Sequence, residues 1–461
     1  MIDTIGPPFT RIRVPDIRPK SVSRPRLLDA LDAGVARGIV SVCAPAGSGK
    51  TTLVGQWCRR TPSDGRCAWL SLTEAENDLA TFLRSLGASI DIAVPGAGRA
   101  ALRMTDEAWA KAHRVLVGSL IDELGRTDMP TTLVLDDVHT LTTSDVLLVL
   151  ANMIEQLPPS VRMILVSRAV PSLPLPRWRE HGRLLEIGGD ELRLSAAEAS
   201  RFVHATTTLA VTGAQVERLV SRTDGWIAGL RLALIAAARS ENPDAFLSRF
   251  SGADPHVQDY LFSDALAGQP EWLVSFLMET AVVQPFCASM CDSIRGISVP
   301  PGWPSPSATV LSEIERGNLF LVPLDEQRVW YRYHPLIAEA LAARLEAIAP
   351  QHSAKLRRRA NRWHEANEHA APPSTPALTT HLTHASAAKA AGVALDLLEP
   401  LTRRELDVLR CIARGASNRT VAEQLFISPA TAKKHTSNIF AKLGVTSRTQ
   451  AIVRALEMDL L

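Results

Sequence analysis

Near its N-terminus the chain runs Ile39-Val40-Ser41-Val42-Cys43-Ala44-Pro45-Ala46-Gly47-Ser48-Gly49-Lys50-Thr51-Thr52, a β-rich apolar run that breaks into small residues and restarts as polar, helix-compatible sequence. A strand that ends this way leaves a loop whose peptide N–H groups can turn toward an anion, and the N-terminus of the following helix favours negative charge. Gly47 and Gly49 permit the turn, Lys50 has the length to reach β- and γ-phosphates, and the Thr51 hydroxyl suits Mg²⁺. Ala46, Gly47, Ser48, Gly49, Lys50, Thr51 and Thr52 are therefore candidate nucleotide contacts. Ala44 stands where the strictest form of the pattern has its first glycine.

Such a loop can arise by chance between any strand and helix, so a second element must support it. Apolar, β-rich runs recur at Ile39–Cys43, Ala68–Leu72, Thr132–Leu135, Met163–Val166 and Leu184–Ile187, with room for helices between them. This order predicts a parallel sheet with crossover helices. The third run ends in Asp136 and Asp137, two carboxylates at the C-terminal edge of a buried strand. Asp136 is assigned, with Thr51, to a Mg²⁺ shell, and Asp137 to polarising an attacking water. Arg168, at the tip of the next strand, would sense a γ-phosphate, because its charge loses a partner when that phosphate leaves. A surface arginine paired with a carboxylate is the alternative.

The 461 residues suit roughly three domains. Hydrophobic and charged fractions of 46% and 21% are those of an ordinary globular protein, and net charge is only +2. A basic surface must therefore be local. No window holds the ~20 apolar residues a spanning helix needs, so no membrane role and a cytoplasmic location are expected. Six cysteines form no disulfide framework, and Cys287 with Cys291 lacks a second pair for zinc, which leaves buried reduced thiols. In His364-Glu-Ala-Asn-Glu-His369 the histidines are five apart and do not share a helix face as a metal pair would. Arg357, Arg358 and Arg359 read as a solvated charge run.

Residues 401–461 carry ten Lys/Arg against five Asp/Glu, a local excess larger than that of the whole chain. Thr402 and Glu405 form a capping box for a first helix with Leu406, Leu409 and Ile412 at helical spacing before Gly415. A second helix spans about 418–425. Ser428 then caps, and Pro429 opens, a third helix. Ala432, Ile439 and Leu443, with Thr436, fall on its inward face. Ser428, Thr431, Lys433, Lys434, His435 and Asn438 are left to contact DNA. Gly444 closes this helix, and a fourth runs from Ser447 to Met458.

Taken together, the phosphate loop, Leu133-Val-Leu-Asp136-Asp137, Val166-Ser-Arg168, Arg222-Thr-Asp-Gly-Trp226-Ile-Ala-Gly-Leu230 and Asn318-Leu-Phe-Leu-Val-Pro-Leu-Asp325 through Trp330-Tyr-Arg-Tyr-His334-Pro resemble the MalT-like, large ATP-binding LuxR-type regulators, which are signal-transducing ATPases with numerous domains. Residues 401–461 resemble the LuxR-type effector domain over their full length, with Ala432 and Thr436-Ser437 departing from the usual pattern. The resemblance implies a multidomain α/β plus all-α chain: an N-terminal segment 1–25, a P-loop NTPase parallel sheet over 26–190, a helical domain 191–270, a winged-helix domain 271–345, a residual helical arm and linker 346–400, and a four-helix helix-turn-helix domain 401–461. It implies ATP/ADP and Mg²⁺ as cofactors, and His334 as a phosphate contact in an ADP-bound form. Without that analogy, His334 reads as a packed, hydrogen-bonded histidine.

Family members carry a long array of paired helices between winged helix and DNA module. Here only about 55 residues separate Leu345 from Leu401, too few for the repeats a solenoid needs. Lys355–His369 reads as the first helix of such an array, and Ala371-Pro-Pro-Ser-Thr-Pro376 as linker. The expectation is an ATP-dependent DNA-binding transcriptional regulator, an activator, whose ATP/ADP state controls self-association, with at most slow ATP hydrolysis. Its expected partners are double-stranded DNA, further copies of itself when ATP-bound, and RNA polymerase. A constitutive DNA binder with a structural nucleotide, and a remodelling ATPase, are the alternatives.

Overall fold

The computed structural model describes residues 9–17, 21–60, 66–98, 117–126, 130–299, 304–367, 403–413, 420–422, 425 and 428–443. The chain divides into two compact units, residues 1–250 with 316–319, and residues 251–315 with 320–461.

In the first unit, α1 (Pro25–Arg37) leads into β1 (Ile39–Cys43), and α2 (Lys50–Arg60) follows the loop. Then come β2 (Arg66–Ser71), α3 (Leu79–Ala93), β3 (Thr131–Asp136), α4 (Ser144–Glu155), β4 (Val161–Ser167) and β5 (Leu184–Ile187). The five strands are parallel in the order β2-β3-β4-β1-β5. Two observed strands, β3 and β4, reach one or two residues beyond the expected runs at each end, and β2 begins two residues before its own and ends one residue short of it. Most of the added residues are polar ones that the ladder pairs, such as Arg66 with Thr131 and Asp136 with Ser71.

A parallel sheet is covered on both faces, so its strands read as near-continuous apolar runs, and alternation then splits their side chains between two cores. Ile39, Leu133, Leu135, Met163 and Leu165 join one core with Phe82, Leu86 and Ile90 of α3 and Val146 and Leu150 of α4. Val40, Val42, Val134, Ile164 and Val166 join the other with Leu28 and Leu31 of α1 and Leu53 and Trp57 of α2. Helices α5 (Ala196–Thr206), α6 (Gly213–Thr223) and α7 (Ile227–Arg239) follow the sheet. Capping boxes start the first two: Ser195 with Glu198, and Thr212 with Gln215.

In the second unit, α8 (Glu271–Thr280), β6 (Phe286–Cys287), α9 (Ala288–Arg295) and α10 (Pro306–Arg316) precede β7 (Leu321–Pro323) and β8 (Trp330–Tyr333). These strands form an antiparallel sheet in the order β6-β8-β7. Tyr333 anchors it: its ring packs 4.8 Å from that of Phe286, and its hydroxyl shares a 2.7 Å hydrogen bond with Thr280. Helices α11 (Pro335–Ile348) and α12 (Pro350–Ala366) follow. The array-like helix thus begins five residues before Lys355, because Pro350 occupies the first turn, where a missing N–H costs nothing. It ends at Ala366. Glu279 of α8 accepts from Arg295 Nε at 2.9 Å and lies 3.4 Å from His352 Nε2, a buried charged cluster joining α8, α9 and α12.

Helices α13 (Arg403–Ala413) and α14 (Pro429–Leu443) belong to the C-terminal module. Residues 420–422 form a piece of helix between them. The expected cap at Thr402, the helix end at Gly415, Gly444, the fourth helix at 447–458, the linker at 371–376 and His369 lie outside the described residues. Among the described residues no helix is long and apolar enough to cross a membrane. All six cysteines are free thiols; Cys58, Cys287, Cys291 and Cys411 are buried, and Cys43 and Cys67 are half-buried.

Candidate functional site

The strand order sets β4 between β1 and β3, so the loop after β1 and the carboxylates after β3 are two strand spacings apart, about 9.5 Å. Side chains bridge that gap. Thr51, in the first turn of α2, donates its hydroxyl to Asp136 Oδ2 at 3.0 Å. Asp136 is 3% exposed and also accepts from the Asp137 peptide N–H at 3.1 Å. Burial, then the neighbouring Asp137 charge, push the Asp136 carboxyl up to about 6, against the opposing Thr51 bond and Lys50 charge.

Lys50 is 7% exposed, and its ammonium donates to the carbonyls of Ala44 at 2.8 Å and Pro45 at 3.0 Å. Burial, then the Arg168 charge, lower it to about 8, while Asp137 and Asp136 oppose the shift. Gly47 and Gly49 take φ of 72° and 83°, the left-handed conformation that side chains rarely adopt. Ser48 is buried, Ala46 half-buried, and Gly47 and Thr52 exposed. The loop's other neighbours come from beyond the sheet. The Trp226 indole N–H donates to the Ala46 carbonyl at 2.9 Å, and the Ala228 peptide N–H to the Gly47 carbonyl at 3.1 Å.

Asp137 has φ 59° and ψ 41°, a left-handed turn that directs the chain away from the sheet. Its side chain is 39% exposed, and its carbonyl accepts from the Thr140 peptide N–H at 3.0 Å. His139, which the sequence analysis passed over, brings Nδ1 to 3.8 Å from Asp137 Oδ1. That buried Nδ1 makes no hydrogen bond. Burial lowers the imidazole pKa, the nearby Asp137 carboxylate opposes this, and the Arg168 and Lys50 charges lower it further. The available signal was its place three residues after the strand-ending Asp136. Asn77 fixes the same turn: its amide donates to the Thr140 carbonyl at 2.8 Å and accepts from the N–H groups of Thr142 and Thr143 at 2.7 and 3.0 Å. Arg168 is exposed at the tip of β4, close enough for its charge to act on Lys50 and His139.

The donor set fits Mg²⁺ with a nucleoside phosphate. A hydroxyl and a carboxylate already in contact are the hard oxygen ligands that such a cation takes, and the glycine turn with a buried lysine suits a phosphate chain. His334 lies in the second unit, buried at the start of α11, where its peptide N–H donates to the Phe320 carbonyl at 2.8 Å and its carbonyl accepts from Ile337 and Ala338.

In the C-terminal module, Ser428 caps α14 as expected: its Oγ accepts from the Thr431 peptide N–H at 3.1 Å. Ala432, Thr436 and Ile439 are buried, while Ser428, Thr431, Lys433, Lys434 and Asn438 are exposed and His435 is half-buried. Thr436 occupies its apolar position by donating its hydroxyl to the Ala432 carbonyl four residues back, at 2.9 Å. On α13, Val408 and Leu409 are buried and Leu406 is half-buried. The sequence analysis also missed the pair Glu405–Lys442, at 3.0 Å, which ties α13 to the end of α14.

Three family models match parts of the chain. Residues 24–166 match the AAA ATPase domain, residues 262–353 the MalT winged helix domain, and residues 399–455 the bacterial regulatory proteins of the luxR family. The chain is 30% identical over 389 residues to the serine/threonine-protein kinase PknK of Mycobacterium tuberculosis (strain ATCC 25618 / H37Rv), covering 83% of this chain and 34% of that protein. It is 29% identical over 329 residues to the HTH-type transcriptional regulator MalT of Klebsiella pneumoniae subsp. pneumoniae, covering 71% of this chain and 35% of that one. The chain thus spans about a third of the length of the curated relatives it matches. Among solved structures, the Walker-type ATPase of Pyrococcus abyssi is 13% identical with a TM-score of 0.48, covering 71% of this chain and 99% of that one. An AAA ATPase domain implies nucleotide binding and a luxR-family helix-turn-helix implies DNA binding. The chain carries an AAA ATPase domain, a MalT winged helix and a LuxR-type helix-turn-helix in that order, and is a distant homologue of MalT and PknK.

Proposed function

We propose that this chain is an ATP-dependent DNA-binding transcriptional regulator, an activator, in which the ATP/ADP state controls self-association and α14 reads the major groove. The observation that carries the reading is the set of buried Lys50 and Asp136 with half-buried Thr51 bonded to that carboxylate, in a chain whose last described helix exposes Lys433, Lys434, Thr431 and Asn438. Bound Mg²⁺ would supply charge neutralisation of the phosphates, with Thr51 and Asp136 as its holders. Residues 46–52 would bind the phosphate chain, Arg168 would sense its terminal group, and Asp137 would hold the attacking water for slow hydrolysis. His139, with Nδ1 3.8 Å from Asp137 Oδ1, would act on that carboxylate through its position alongside it.

A nucleotide shifts a conformational equilibrium only by its differential affinity for the two forms. Self-association in the ATP form would set several DNA modules on repeated half-sites, and RNA polymerase would then be the protein partner. The test is molar mass by light scattering on a sizing column, with no nucleotide, ADP or a non-hydrolysable ATP analogue, for the wild type and Lys50→Ala. Growth in mass only with the analogue, lost in the variant, is expected. Mass that is the same in every condition overturns the nucleotide-controlled assembly.

A further inference from the structure

The segment Arg222–Leu230 stands out in the sequence yet has no part in the function proposed above, and its position over the phosphate loop gives it one. Trp226 is 6% exposed, and its indole N–H donates to the Ala46 carbonyl at 2.9 Å. Two residues on, the Ala228 peptide N–H donates to the Gly47 carbonyl at 3.1 Å. Between them, the Ile227 side chain comes so near that a Cβ on Gly49 would meet its Cδ1 at 2.8 Å. Three successive residues at the head of α7 thus touch three residues of the loop, two through carbonyl oxygens. Lys50 takes the carbonyls of Ala44 and Pro45, and the Leu53 N–H takes that of Gly49 at 2.9 Å.

The head of α7 is itself held firmly. Asp224 and Gly225 are both left-handed, with φ of 50° and 70°. Asp224 pairs with Arg193 at 2.6 Å, and the Gly225 carbonyl accepts from the Leu194 peptide N–H at 2.9 Å. A Cβ on Gly225 would meet the Leu194 carbonyl oxygen at 2.7 Å, so only glycine permits this approach. A loop whose carbonyls are engaged on the protein side is left to face a ligand with its peptide N–H groups.

We propose that Trp226 is a positioning residue of the phosphate loop, and that the turn Asp224–Ala228 holds the loop in its anion-accepting form and shifts with it when phosphate binds. This rests on the reading of residues 46–52 as a phosphate site. Binding at the loop would then be felt at the start of α7 through two hydrogen bonds, with no further contact required.

The test is amide hydrogen exchange on the full chain, with and without ADP and Mg²⁺, for wild type, Trp226→Phe and Ile227→Ala, alongside ADP affinity by fluorescence anisotropy. In nucleotide-free Trp226→Phe, exchange over 44–50 is expected to quicken while β3, at 131–136, keeps its protection. ADP affinity is expected to fall about 3- to 10-fold, the worth of one hydrogen bond. In the wild type, ADP should slow exchange over both 44–50 and 224–230, and in Trp226→Phe, which keeps the Ala228 to Gly47 bond, the slowing over 224–230 should be clearly smaller. Ile227→Ala, which leaves both hydrogen bonds in place, should quicken 44–50 to a smaller degree and serves if the Phe variant does not fold. Unchanged exchange over 44–50 in either folded variant overturns the proposal. A wild type indifferent to ADP, with the nucleotide-free difference still present, would instead remove the phosphate reading and leave Trp226 holding a loop of another use, which overturns the proposed transmission.

Discussion

Lys50 carries its charge where charge is expensive. Holding the proton in a site that lowers its pKa from 10.5 to about 8 costs roughly 3 kcal/mol net. A phosphate chain would offset that cost, so affinity is stored in the nucleotide-free protein as instability. Lys50→Met should therefore raise the thermal midpoint without nucleotide by about 2–4 °C and abolish the further rise that ATP gives the wild type. Differential scanning fluorimetry measures both, and a lower midpoint in the variant would count against the idea. Asp137 and His139 form the complementary case. With neither side chain fully buried, their substitution by Asn and Ala should leave ADP affinity within about threefold and slow any ATP turnover by 10²-fold or more, as read by phosphate release.

At the level of elements, the parallel strands, the loop and the third helix of the DNA module were legible because each has a local cause. Apolar runs, glycine turns and a Ser–Pro cap all act within a few residues. What stayed hidden depends on distant neighbours: Trp226 on the loop, Asn77 on the turn after β3, and Glu405 on Lys442 are 180, 63 and 37 residues from their partners. On α14, Lys433→Ala should lessen the salt dependence of DNA binding by about one unit of slope, or relax sequence choice if it meets a base. Titration of labelled duplex at several salt concentrations separates these, and no change in either would move the contact surface off this face.

The cluster on α8, α9 and α12 has its own signature. Burial would raise the Glu279 pKa, but the His352 hydrogen bond and the Arg295 charge more than reverse this, so it lies below its ordinary 4.5. A depressed carboxylate contributes stability that is complete above its unfolded pKa and lost as pH falls through the folded one. Melting of the second unit should therefore become acid-sensitive below about pH 4.5. Glu279→Gln should flatten that dependence and cost about 1–3 kcal/mol at neutral pH, checked by denaturant unfolding across pH.

For the whole molecule, coupling ATP to DNA by self-association makes a prediction that neither site makes alone. With a non-hydrolysable ATP analogue, a duplex bearing two spaced half-sites should bind at least about tenfold more tightly than one bearing a single half-site, and without nucleotide the two should differ little. Equal affinities in both conditions would favour a constitutive binder with a structural nucleotide.

The sheet ends at β2 on one side and at β5 on the other, and the margin at β5 bears on how copies would gather under the proposed assembly. That strand is four residues long, and its Glu186 holds Arg179 through two hydrogen bonds of 2.7 and 2.9 Å. A short border with a fixed charged pair offers little to a stray strand seeking a backbone partner. Under the proposed ATP-controlled assembly, copies that gather must also separate, and a blunted border would keep that gathering reversible, away from the fibrous aggregates that unguarded strands invite.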